Sequence, residues 1–153
     1  MQKTKLKLVD YYNLEAELNG TVNQQTGEVV SKGLLLEKLK LTTKYWISDV
    51  AKKVVEEKKA CEAIKDELIK KYGESDENGS IMISAFINVQ KDEEGKIISA
   101  DNNPNFIEFQ NEWMALLNEE KELEHKEFKL EEFDEVSSEG AYLTFFKLIK
   151  IEE

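Results

Sequence analysis

The sequence predicts an α+β fold: a long helix packed antiparallel on a second helix, with a small antiparallel β-hairpin or sheet at one end. Three observations lead to this class. Residues 34–72 contain neither glycine nor proline and repeat apolar side chains at helical spacing. Residues 81–100 hold two apolar, β-branched runs separated by a charged turn. Residues 105–120 place Phe106, Phe109, Trp113, Leu116 and Leu117 on one helical face. With 153 residues and 41% hydrophobic content, the chain is expected to form a single domain over 1–153, with a core that needs no disulfide or metal.

In chain order, a short helix is expected from about Val9 to Leu18, capped by Asp10 and stopped by Asn19-Gly20. Together with the loop 21–33, where Gln25–Val30 has the composition of a short hairpin, it makes an N-terminal section, 1–33. The long helix spans 34–72, with a break possible at Leu41-Thr42-Thr43. Its seam is Ile47, Val50, Val54, Cys61, Ile64 and Leu68, interrupted by Glu57, and the opposite face is charged. Gly73–Ser80 is a polar turn. The C-terminal section, 80–153, begins with a strand at 81–89, a turn at Lys91–Lys96 and a return strand at 97–100. Pro104 opens the second helix, 105–120. A short strand follows at 123–130, then an acidic turn, 131–135. For the last segment, 141–149, a helix capped by Ser137 or Ser138, with Glu139 in its first turn, competes with a strand.

Charge and composition narrow the function. All 21 basic residues are lysine, and the net charge is −11. Without arginine there is no planar, bidentate grip on phosphate, carboxylate or guanine. The charge is uneven. Residues 1–33 are neutral, 34–72 carry ten lysines against seven acids, and 73–153 carry seven lysines against 21 acids. A net of −14 at the C-terminal end disfavours nucleic acid as a partner. It suits either solubility or a lysine-bearing protein surface. No apolar run is long enough for a membrane span, and no signal core follows the basic N-terminus. One cysteine suits a reducing compartment. The chain is therefore expected to be made in the cytoplasm and to have no membrane partner.

No catalytic, cofactor-binding or metal-binding residue is expected. His125 is the only histidine and sits among charged neighbours, so it is expected on the surface. Cys61 lies on the seam and is expected to fill the core. Asp76–Gly79 lacks the ligand spacing and closing glutamate of a calcium loop, and Asp92–Glu94 has the composition of a solvated hairpin tip. A two-carboxylate hydrolase would need acids gathered in a cleft, whereas these cluster in turns and on polar faces. No small-molecule substrate is inferred. The aromatic pairs are the remaining candidates. Tyr45, Trp46 and Ile47 are consecutive on a helix and cannot all point the same way, so at least one projects from the seam; Tyr45 and Trp46, with Tyr11 and Tyr12, are candidate interface contacts. Packing beneath the loop 20–33 is the alternative.

A helix ending Lys70-Lys71-Tyr72-Gly73, a hairpin, and a helix reading Asn105-Phe106-Ile107-Glu108 through Leu116-Leu117-Asn118 follow one another, completed by Glu127–Phe133. This order resembles a group of short, uncharacterised tailed-phage proteins over residues 34–150. The resemblance implies a non-enzymatic virion accessory protein of the capsid or tail. Such a protein would pack on other virion proteins or on copies of itself, made in the bacterial host cytoplasm and found in the virion. The alternative it allows is a soluble phage factor that inhibits a host protein through its acidic C-terminal half.

Overall fold

The computed structural model describes residues 1–137 and 142–151. Strand β1 (Gln2–Lys7) leads into helix α1 (Leu8–Asn19), strands β2 (Thr21–Val22) and β3 (Val29–Ser31), a 3-10 turn (Leu34–Leu36) and helix α2 (Leu41–Tyr72). Strands β4 (Glu74–Ser75), β5 (Ile81–Met82), β6 (Phe86–Lys91) and β7 (Ile97–Asn102) precede helix α3 (Pro104–Leu117). Strands β8 (Glu120–His125) and β9 (Phe128–Lys129), 3-10 turns at Leu130–Phe133 and Phe145–Leu148, and strand β10 (Ile149–Lys150) complete the chain. The fold is α+β, and α2 packs on α1 and on α3. Contacts gather into two units, Met1–Lys59 with Asn118–Glu153 and Ala60–Leu117, with the boundary inside α2.

The first unit is built on a pairing between its two stretches of sequence. β1 runs antiparallel to β8, and the register sets Lys3 opposite Glu124, Lys5 opposite Glu122 and Lys7 opposite Glu120. Cross-strand ion pairing on the exposed face and apolar burial on the other fix that register together. Leu6 and Leu123 face inward and are buried, and Lys5 reaches Glu120 at 3.3 Å. α1 adds Leu14 and Leu18 to this core, and the first turns of α2 add Ile47, Val50 and Val54. Lys58 on α2 pairs with Glu15 on α1 at 2.6 Å and lies over the Tyr12 ring. Gly20 and Gly33 meet backbone to backbone at the base of the β2–β3 hairpin. Both have positive φ, and a Cβ on Gly33 would come within 2.5 Å of the Gly20 nitrogen. Only glycine fits that approach.

Several expectations change here. The short helix appears as α1, but strand β1 precedes it where the sequence predicts no element. The long helix starts at Leu41 rather than Leu34, because Glu37 is drawn inward and ends the 3-10 turn before it. The C-terminal segment forms a 3-10 turn and a short strand, β10, parallel to β9, in place of a helix. Ser137 is used differently as well: it bonds to Glu37. Ser138, Glu139 and Ala141, also part of that expectation, lie outside the described residues.

The second unit is thin. The end of α2, two hairpins and α3 make it up, and among its residues only Cys61 and Phe109 are buried. The expected seam fades after Cys61: Leu68 is half-buried and Ile64 exposed. On α3 the expected face is present, since Phe106, Trp113, Leu116 and Leu117 are the half-covered positions around Phe109. Lys71 pairs with Glu112 at 3.5 Å, and Lys65 sits over the Trp113 ring, which ties α2 to α3. The strand expected at 81–89 is divided. β5 pairs with β4, and β6 pairs with β7 around Asn88, whose φ of 52° accompanies a bulge.

Candidate functional site

Two kinds of feature could carry chemistry or binding: buried polar groups in the first unit and exposed apolar groups in both units. The buried groups prove to be fasteners. The Glu37 carboxylate accepts hydrogen bonds from the Ser137 amide and hydroxyl, each at 2.7 Å, and from the Tyr142 hydroxyl at 3.3 Å. Lys32 lies 3.8 Å away. Burial alone would raise the Glu37 carboxyl. The Ser137 bonds, the Lys32 charge and the Tyr142 bond outweigh it and hold the group below its ordinary 4.5. Burial, and then the Glu37 charge, push the Tyr142 phenol up to about 12, so it remains a donor. Glu17 accepts the Thr144 and Phe145 amides at the start of the last 3-10 turn. Asp10 accepts the Lys7 amide and pairs with Lys147, while Glu132 accepts Thr43 and the Lys129 amide. Acids far apart in sequence thus hold the C-terminal segment against the rest of the unit.

His125 is another correction. It was expected in solvent and is fully buried. Its ring stacks on Phe128 with centroids 5.8 Å apart. Nδ1 lies 2.8 Å from the Lys126 carbonyl and Nε2 2.7 Å from the Thr4 hydroxyl. The carbonyl needs a donor, so Nδ1 carries the proton and Nε2 accepts from Thr4. Burial, aided by the Lys53 charge, keeps the imidazole below its ordinary 6.5 despite the Lys126 bond. The signal for this was present in the sequence: on a strand, His125 shares the face of Leu123, while Glu120, Glu122 and Glu124 share the other. Cys61 is buried, as expected. Asp76 and Asp92 each accept two backbone amides within their own turns, which fits the expectation of plain turns.

The four aromatic candidates separate. Tyr11 is buried, its hydroxyl 3.5 Å from the Lys121 carbonyl, and Tyr12 is half-buried under Lys58. Trp46 is half-buried, with Lys126 over its ring. Tyr45 meets Trp46 edge-on at 5.1 Å and remains 64% exposed. Leu36, Leu41 and Tyr45 together leave apolar surface around the start of α2. Lys40 and Lys44 lie between them, forming no ion pair among the described residues. Nearby acids are engaged: Glu135 pairs with Lys38, and Glu132 bonds to Thr43.

A second exposed apolar surface lies on residues 81–100, which the sequence predicts as a strand pair. Phe86, Met82, Ile97 and Ile98 are each more than half exposed, and every residue of β6 and β7 is exposed. Two runs of apolar residues with no third strand to cover them were the available sign. Acids surround them. The second unit has five lysines and twelve acids, a net of −7, and Glu74, Asp76, Glu77, Glu93 and Glu94 are all exposed. The first unit also has an apolar cleft of about 260 Å³, lined by Leu34, Phe133, Tyr142, Phe145 and Phe146 among others, with no carboxylate among the described residues of its wall.

No family model matches the chain, and no curated protein or solved structure matches it. Among the described residues, no helix is long and apolar enough to cross a membrane.

Proposed function

We propose that this protein is a structural subunit that works by packing against other proteins in a multi-copy assembly, and that the assembly is a phage capsid or tail. One observation carries the packing part: the second unit exposes most of its apolar side chains and buries only two residues. A two-stranded hairpin is marginal by itself in water. Covering one large aliphatic side chain contributes roughly 1.5–3 kcal/mol, so a partner that covers several would stabilise the hairpin and itself be held. An exposed apolar patch with a polar rim is the usual form of a protein contact. The phage part rests on the resemblance of residues 34–150 to short tailed-phage proteins.

Quantitative mass spectrometry of purified phage particles tests the reading. The expected result is this chain at a fixed, multiple copy number per particle. Its absence from particles, with synthesis early in infection, would overturn the structural role.

A further inference from the structure

The same chain carries two exposed apolar surfaces that differ in the charges beside them. On the first unit, Leu41 is 83% and Tyr45 64% exposed, with Lys40 and Lys44 beside them and no ion pair on either ammonium among the described residues. On the second, Ile97 and Ile98 are 64% and 67% exposed on a hairpin, residues 86–102, that carries four acids against two lysines. We infer that the β6–β7 hairpin of one copy docks on the Leu41–Tyr45 surface of the next, so that copies associate head to tail.

Charge selects this occupant over the symmetric one. Two hairpins face to face would bring Asp92, Glu93 and Glu94 of each copy together, and like charges at a contact are unfavourable. Hairpin against the start of α2 sets acids opposite Lys40 and Lys44 while the apolar side chains leave water. Each pair of copies then keeps one hairpin and one helix-start surface unused. Such a heterologous contact produces rings where the rotation closes and filaments where it does not. The inference rests on the packing reading above and names the partner: a second copy of this chain.

Sedimentation of the purified full chain and two surface variants tests it. Wild type is expected to be monomeric when dilute and to form species larger than a dimer at concentrations on the order of 100 μM, an ordinary range for weak contacts. Added salt is expected to weaken the association. Ile98→Asp and Leu41→Asp alter exposed side chains, and circular dichroism confirms that each is folded. Each alone is expected to remain monomeric. Mixed, they are expected to form a 1:1 dimer and nothing larger, because one intact hairpin still meets one intact helix start. A wild type that stays monomeric, a variant that still associates, or a mixture that stays monomeric would each overturn the inference. Failure here leaves the virion reading standing if the chain is present in particles, and absence from particles leaves a measured head-to-tail association standing.

Discussion

Replacing Phe128 with alanine is expected to remove about 3–5 kcal/mol of stability, enough to bring a domain of this size close to unfolding. Phe128 is 1% exposed at the centre of an aromatic group. Its ring lies 5.3 Å from Phe145 and 6.2 Å from Phe133, and stacks on His125 with an interplanar angle of 6°. Alanine would leave a cavity the size of a phenyl ring between elements of very different sequence position. It would also uncover His125, whose bonds to Thr4 and Lys126 depend on a fixed ring orientation. Thermal denaturation is expected to show a fall in Tm of about 10 °C or more. Phe128→Leu retains much of the volume and is expected to lose clearly less. Equal losses for the two variants would mean that packing around Phe128 is not what holds the unit together.

Glu37→Ala is expected to cost about 3 kcal/mol, a large effect for one acid in a chain of 32 acidic residues. The Ser137 amide, the Ser137 hydroxyl and the Tyr142 hydroxyl would all lose their acceptor. Unmade bonds at buried donors are more damaging than the net worth of made ones. The C-terminal segment is where the loss should appear, as faster proteolysis after residue 137. The acid also has a pH signature. Its carboxyl titrates below the ordinary 4.5, so its contribution is complete above that value and is lost as the pH falls through the lower folded value. Denaturant titrations of wild type and Glu37→Gln are therefore expected to converge in acid and to separate toward neutral pH. A constant difference at every pH would show that the charge is not what the site uses.

The two cases explain which parts of this fold were legible in the sequence. Helical periodicity was easy to read wherever neighbours in sequence decide the structure: α1, most of α2 and α3 were placed within a few residues. Pairing between distant segments was not. β1 was missed because Gln2–Lys7 is half lysine and looks like a polar leader until Glu120, Glu122 and Glu124 are set opposite it. His125 was misplaced for the same reason: its strand neighbours are charged, and only the partner strand shows which face is inside. Glu37 interrupts a run of leucines, and a lone acid in such a run signals either a solvent-facing turn or a buried acceptor. The choice is made by Ser137, a hundred positions away. The C-terminal segment is rich enough in apolar residues to be helical, yet Glu17 takes its first amides and β9 takes its last residues, so a single 3-10 turn is all that forms.

The exposure of Tyr45 was legible because Tyr45, Trp46 and Ile47, consecutive on one helix, cannot all face inward. The hairpin was legible as structure and missed as a surface, since exposure is a property of what surrounds a strand and not of its own residues. A role in packing against other proteins depends on that hairpin being uncovered in a single chain. Amide hydrogen exchange tests this most directly, with the chain first held dilute and then in its assembled form. The expected result is that β6 and β7 exchange far faster than β1 and β8 in the dilute chain and become protected on assembly. Amides of β6 and β7 that are as protected as those of β1 and β8 in the dilute chain, and unchanged on assembly, would contradict it.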